Sequence, residues 1–136
     1  VFVAPSTGFA PAVDASYVLG SPIFRWSTVY AATGTINTSD AGQKQDVAEL
    51  TDAELRVAFR LKKLIRTFKF KDAVASKADK ARIHTGVIAQ DVEAAFTAEG
   101  LVASNYGIFC SDTLENGTTQ LGVRYDELFA FIIAAL

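Results

Sequence analysis

Residues 1–38 carry two charged side chains, Asp14 and Arg25, while the other 26 lie between Asp40 and Glu127. That break constrains the chain more than any motif. A segment of at most about 40 residues rarely encloses a core without outside support, and with so little charge it is poorly equipped to stay apart from its own kind. Its β-branched and aromatic residues come in short pieces at 16–19, 23–26, 28–30 and 35–38, cut by Gly8, Gly20, Pro22 and Gly34, a pattern that predicts short strands and turns. The front segment is therefore expected to be the end of something larger and multi-chain. Val1 at the start and an apolar helical pattern running to Leu136 predict a longer protein on both sides.

The part after residue 38 reads as ordinary mixed α and β. Thr51 followed by Glu54 has the spacing of a capping box, and Val57, Leu61, Leu64 and Phe68 make one apolar stripe, so a helix is expected over residues 52–65. Phe68 and Phe70 alternate with Lys69 and Lys71, the period of a strand with one wet face. Residues 73–80 read as a polar loop, 83–89 as a strand, and 90–99 as a helix stopped by Gly100, with Val92, Ala95 and Phe96 on one face. Strands over 106–110 and 121–125 flank a turn at Asn116-Gly117. A last helix opens at Asp126 and is apolar on nearly all sides through Phe129, Phe131, Ile132, Ile133 and Leu136, which predicts burial against partners. The fold class expected is α+β, a small mixed domain.

Several functions are excluded or disfavoured by composition. The longest apolar run, residues 129–136, is far too short to span a bilayer, so no membrane partner is expected. The single Cys110 excludes an internal disulfide and, with one His, leaves too few ligands for a zinc site; no metal or other cofactor is expected. Gly34, Gly42 and Gly86 form no phosphate-binding loop. Ten of the 13 basic residues lie between Arg56 and Arg82, opposed there by Asp72 and Asp79. Because they interleave with the core stripe and no nucleic-acid motif accompanies them, they read as a solvated face and loop rather than a nucleic-acid surface. His84, in an expected strand beside Gly86, reads first as a structural histidine and second as a catalytic candidate.

The segment from Thr35 to Lys44 lies on the composition break itself and holds Ser39, Asp40 and Lys44. A serine hydroxyl near a lysine amine is a nucleophile and general-base pair, provided that enough of the amine is neutral, which removal from water favours. The plainer reading is a Ser39 or Asp40 helix cap and an exposed Lys44.

The order of motifs separates these readings. Leu19-Gly-Ser, Arg25-Trp-Ser-Thr-Val-Tyr-Ala31, residues 35–40, Lys44 with Asp46-Val47, Gly86-Val-Ile-Ala-Gln-Asp-Val92, Tyr106-Gly107 and Gly122-Val-Arg-Tyr-Asp126 follow one another along the chain. Together they resemble the self-cleaving C-terminal intramolecular chaperones of phage tail fibres, tailspikes and endosialidases. The resemblance implies an intertwined homotrimer, with residues 1–38 as the end of a β-rich fibre stalk and 39–136 as the chaperone autoprotease domain, its final helix cut short. It implies a single-turnover serine endopeptidase that cuts between Thr38 and Ser39, with Ser39 as nucleophile, Lys44 as base and Asp40 in support; His84 stays a supporting candidate on the residues alone. Gly42 stands where this family commonly has Arg, and Gln43 where an apolar residue is common, departures that bear on cleavage efficiency. The partner implied is the fibre stalk of the same polypeptide, with assembly in the host cytoplasm and the parent fibre in the virion tail. The alternative is a permanent trimerisation or receptor-binding knob that never cuts itself.

Overall fold

The computed structural model describes residues 2–3, 8–34 and 36–136. The chain divides into two compact units, Val1–Asp40 and Ala41–Leu136. In the first, β1 (Phe2–Val3) pairs antiparallel with β2 (Ala10–Pro11), Val3 opposite Ala10. A turn follows in which the Ser21 amide donates to the Phe24 carbonyl and the Phe24 amide to Ser21 Oγ, both at 3.0 Å. The strands expected at 16–19, 23–26, 28–30 and 36–38 do not form, and Thr35 of the last lies outside the described residues. The composition suits strands, but a strand needs a neighbour's donors and acceptors, and within one chain these stretches have no ladder. Their large apolar side chains stand in water, Tyr30 at 93% and Ile36 at 87% exposure.

The second unit is built on α1 (Asp52–Leu61). Its start is the capping box read from the sequence: Thr51 Oγ1 accepts from the Glu54 amide at 3.2 Å, and Glu54 Oε2 accepts from the Thr51 amide at 2.7 Å. Val57, Ala58 and Leu61 are buried on one face. The helix ends four residues before the expected stop, because the Lys63 and Leu64 amides turn to the Arg60 and Leu61 carbonyls at 3.0 and 2.9 Å and tighten the last turn. Leu64 still packs against the core.

β3 (Arg66–Phe68) then pairs antiparallel with β4 (His84–Gly86), Phe68 opposite His84. The expected strand over 83–89 is thus confined to three residues. Residues expected to form a polar loop instead form α2 (Lys71–Lys77) and a 3-10 turn (Ala78–Lys80). Polarity misled here: Lys, Ala and Val supply a helix without a buried side, with Asp72 in its first turn and Lys77 in its last, as the helix dipole favours.

α3 (Ala89–Ala98) buries Val92, Ala95 and Phe96 as expected, and Gly100 follows its end with φ +72°, a backbone state that costs glycine little. After a 3-10 turn at Ala103–Asn105, β5 (Phe109–Thr113) and β6 (Thr119–Val123) form a hairpin, each shifted by two or three residues from its expected position. Asn116 Oδ1 fixes the turn by accepting from the Thr118 amide at 3.0 Å. α4 (Tyr125–Ala134) closes the unit against α1. It is not buried on all sides in one chain: Leu128 is enclosed and Phe131 and Ile132 pack on the core, while Phe129 and Ile133 are 48% and 65% exposed. The core joins α1, α3, β5 and α4 through Leu61, Val57, Val92, Phe96, Phe109 and Leu128, with Ile108 just ahead of β5. The observed class is α+β: among the described residues the first unit holds one two-stranded antiparallel sheet, and the second holds two such sheets with the helices. Among the described residues no helix is long and apolar enough to cross a membrane.

Candidate functional site

The Ser39 to Lys44 segment spans the boundary between the two units. Thr38, Ser39 and Asp40 close the first; Ala41–Gln43 form a 3-10 turn at the start of the second, and the Lys44 amide donates to the Ala41 carbonyl at 3.2 Å. The side chains of Ser39, Asp40 and Lys44 are exposed in the single chain. Ser39 has a φ of +98°, a conformation that places Cβ against neighbouring backbone and costs a non-glycine residue on the order of 1–3 kcal/mol. Asp46, shortly after Lys44, is also left-handed, at φ +54°. The backbone on both sides of Lys44 thus departs from the conformations side chains prefer.

His84 belongs to an aromatic cluster. Its ring stacks on Phe68, with centroids 6.0 Å apart, and meets Phe70 edge-on at 4.8 Å. A shallow depression of about 380 Å3 lies over α1 and α3, lined by residues including Arg60, Leu64, Asp91 and Ala98; Ser39, Asp40, Lys44 and His84 do not line it. Among the described residues no cluster of three His, Cys, Asp or Glu side chains comes together that could hold a metal ion.

The later motifs do structural work that sequence reasoning left unassigned. Gly86 and Tyr125, 39 positions apart, meet. The Tyr125 hydroxyl accepts from the Val87 amide at 3.2 Å, and a Cβ at position 86 would run into that hydroxyl and its ring. Arg124 donates through Nη1 to the Gly107 carbonyl, and its amide donates to the Ile108 carbonyl at 2.9 Å. Tyr106 donates its hydroxyl to Glu54 Oε1 at 2.9 Å, tying the Tyr-Gly motif to the cap of α1. The Thr51 amide, foremost, and the Tyr106 hydroxyl hold the Glu54 carboxyl below the usual carboxylate range, while burial and the same bond push the Tyr106 hydroxyl up. At the far end of α1, Arg56 and Arg60 each bond Glu99 through Nε at 2.7 Å and hold its carboxyl below the usual range. The only signals for these pairs were the motif glycines and the aromatic or charged residues beside them; nothing local told which would meet.

Comparison with known proteins places this geometry. Residues 39–101 match the model of the family Peptidase S74, described as the chaperone of endosialidase. A probable tail spike protein of Klebsiella phage 0507-KN2-1 is 40% identical over 116 residues, covering 82% of this chain and 9% of that protein. The carboxy-terminal domain of the bacteriophage T5 L-shaped tail fibre, solved with its intramolecular chaperone domain, is 28% identical with a TM-score of 0.82, covering 98% of this chain and 37% of that one. The crystal structure of a novel intramolecular chaperone is 30% identical with a TM-score of 0.61, covering 68% of this chain and 91% of that one. The chain thus spans about a tenth of the length of the tail spike protein it matches.

Proposed function

Because the chain belongs to the chaperone-of-endosialidase family, we propose that it is the intramolecular chaperone end of a trimeric phage tail fibre or tailspike, released by its own cut between Thr38 and Ser39. Residues 39–136 would then be the released domain and 1–38 the stalk end, with assembly in the host cytoplasm and the stalk kept in the virion tail. The observation that carries the cut is the backbone of Ser39: a left-handed, non-glycine residue at the boundary between the two units, at the bond the Ser-Asp motif singles out.

Since Ser39 is both nucleophile and first residue of the released domain, its own nitrogen is the leaving group. Neutral Lys44 amine takes the hydroxyl proton as Oγ attacks the Thr38 carbonyl carbon. The Thr38–Ser39 C–N bond breaks, the proton passes from Lys44 to the Ser39 nitrogen, and the Thr38 acyl group is left as an ester on Oγ. Water then splits the ester, leaving a carboxyl end at Thr38 and restoring the Ser39 hydroxyl. Backbone strain at Ser39 raises the ground state of the bond to be broken and is relieved by the first step. Asp40 and His84 have supporting roles at most: Asp40 adjoins the nucleophile, and His84 is engaged with two phenyl rings.

Mass spectrometry of the freshly made chain with its native upstream sequence tests this. Wild type is expected to give a fragment beginning at Ser39; Ser39→Ala and Lys44→Ala are expected to stay whole while keeping the oligomeric state of wild type. An uncut wild-type trimer would establish the permanent knob instead, and a processed Ser39→Ala protein would remove Ser39 as nucleophile.

A further inference from the structure

The stretch from Lys69 to Arg82 is the part of the second unit least accounted for by one chain. It holds five basic side chains, Lys69, Lys71, Lys77, Lys80 and Arg82, against Asp72 and Asp79. Among the described residues, none of the five takes part in an ion pair. α2 lies within this stretch and buries no residue, yet a seven-residue helix has little stability in water without packing. Phe70, Val74 and Ile83 stand exposed among the cations, at 52%, 43% and 69%. Such a surface fits a partner with an apolar centre and an acidic margin. The chain carries one: the outward face of α4 presents Phe129 and Ile133, and the helix has Asp126 and Glu127 in its first turn and no basic residue.

We propose that the α2 surface of one copy is the seat for the outward face of α4 of the next, an inference that rests on the homotrimer reading above. Charge sets the arrangement. Two α2 surfaces face to face would set cations against cations, and two α4 starts would set carboxylates against carboxylates, whereas head-to-tail contact pairs opposite signs. A head-to-tail contact uses two different patches on every copy, so it closes only as a ring, and three copies are the smallest ring beyond a pair. The cations serve register and partner choice, while Val74 and Phe70 against Ile133 and Phe129 supply the apolar area.

Cysteine cross-linking of the full chain in a Cys110→Ala background tests the contact, with light scattering on the same samples. Val74→Cys with Ile133→Cys in one chain is expected to give covalent trimers on a non-reducing gel, and each single variant none. Both positions are exposed, so the fold should survive, and circular dichroism checks it. Lys71→Glu with Lys77→Glu should raise the concentration at which the trimer dissociates on the order of tenfold, with partial recovery when Asp126→Lys is added. A trimer by light scattering whose double variant forms no interchain link, or links only within one chain, overturns the docking and leaves the trimer reading standing. Links in either single variant overturn the head-to-tail arrangement, and a stable monomer overturns both readings. Binding of a single-stranded oligonucleotide at physiological salt that the lysine reversals abolish would assign the surface to nucleic acid and likewise overturn the docking.

Discussion

Replacing Gly86 by alanine sets a methyl group where two distant motifs meet. The first atoms it reaches are the Tyr125 hydroxyl, Tyr125 Cζ at 3.1 Å and Phe68 Cε1 at 3.3 Å. The Tyr125 ring cannot swing away at no cost, because it packs on Phe129 with centroids 5.7 Å apart and its hydroxyl accepts from the Val87 amide. Overpacking of this kind costs about 1–3 kcal/mol. Val87 is 7% exposed, and stripping its amide of an acceptor adds about 1–3 kcal/mol. Gly86→Ala should therefore destabilise the second unit by about 2–6 kcal/mol, a large share of the roughly 5–15 kcal/mol that hold a domain together. Tyr125→Phe forfeits the acceptor alone. In that background the methyl group no longer meets a hydroxyl and the amide has already lost its partner, so the added cost of Gly86→Ala should fall by at least about 1 kcal/mol. Urea unfolding of the four proteins, followed by far-ultraviolet circular dichroism, measures this coupling. Costs that add within about 0.5 kcal/mol would show that the two motifs do not touch, and the structural reading of Gly86 would fail.

Three further outcomes follow from named contacts. Thr51→Ala removes one half of the capping box and should cost about 1 kcal/mol in the same assay, whereas Thr51→Ser should cost little. Glu99 is held below its unfolded value by Arg56 and Arg60, so its contribution is present above that value and lost as pH falls through the lowered folded one. The stability difference between wild type and Glu99→Gln should thus be flat near neutrality and shrink as acid titration passes below about pH 4.3, and a difference that grew in acid would contradict the assignment. Ile133→Asp should leave the single-chain fold intact, since Ile133 is 65% exposed, but abolish assembly and with it cleavage; a folded monomer cut at Thr38–Ser39 at the wild-type rate would show that assembly is not the gate.

Legibility in the sequence followed the range of the forces. The capping box at Thr51 and Glu54, the buried face of α3 and the stop at Gly100 were readable because each is decided within one or two helical turns. α2 was missed because its residues favour a helix while giving no apolar periodicity, the signal on which the reading leaned. The front strands failed for the opposite reason: their composition suits strands, but a strand exists only where another strand completes it. At the candidate site, the sequence supplied Ser39 and Lys44 through their spacing and motif order, but the positive φ of Ser39 is a property of the folded backbone that no residue type announces. The meetings of Gly86 with Tyr125 and of Gly107 with Arg124 needed tertiary structure outright.

The exposures left in a single chain point to a common cause. Tyr30 and Ile36 lack a ladder, Ile133 and Leu136 lack a cover, and the side chains of Ser39 and Lys44 are open to water. On the proposed reading the chemistry waits for the same packing that gives the front stretches their neighbours and α4 its cover. On that reading the coincidence sets the order of events. Interchain strands must come into register before their contacts compensate the lost chain entropy, a slow step that a cap already held in a ring makes local. A cut made before that register was reached would leave stalk ends that cannot find one another. A cut made after it leaves a stalk whose strands have no cap to bring them together again if they part, so the product is held by the height of the barrier to unfolding rather than by the depth of its equilibrium well. Strain at Ser39 suits such a device on that reading, because a bond held in a costly backbone conformation gains by breaking once assembly completes the site around it.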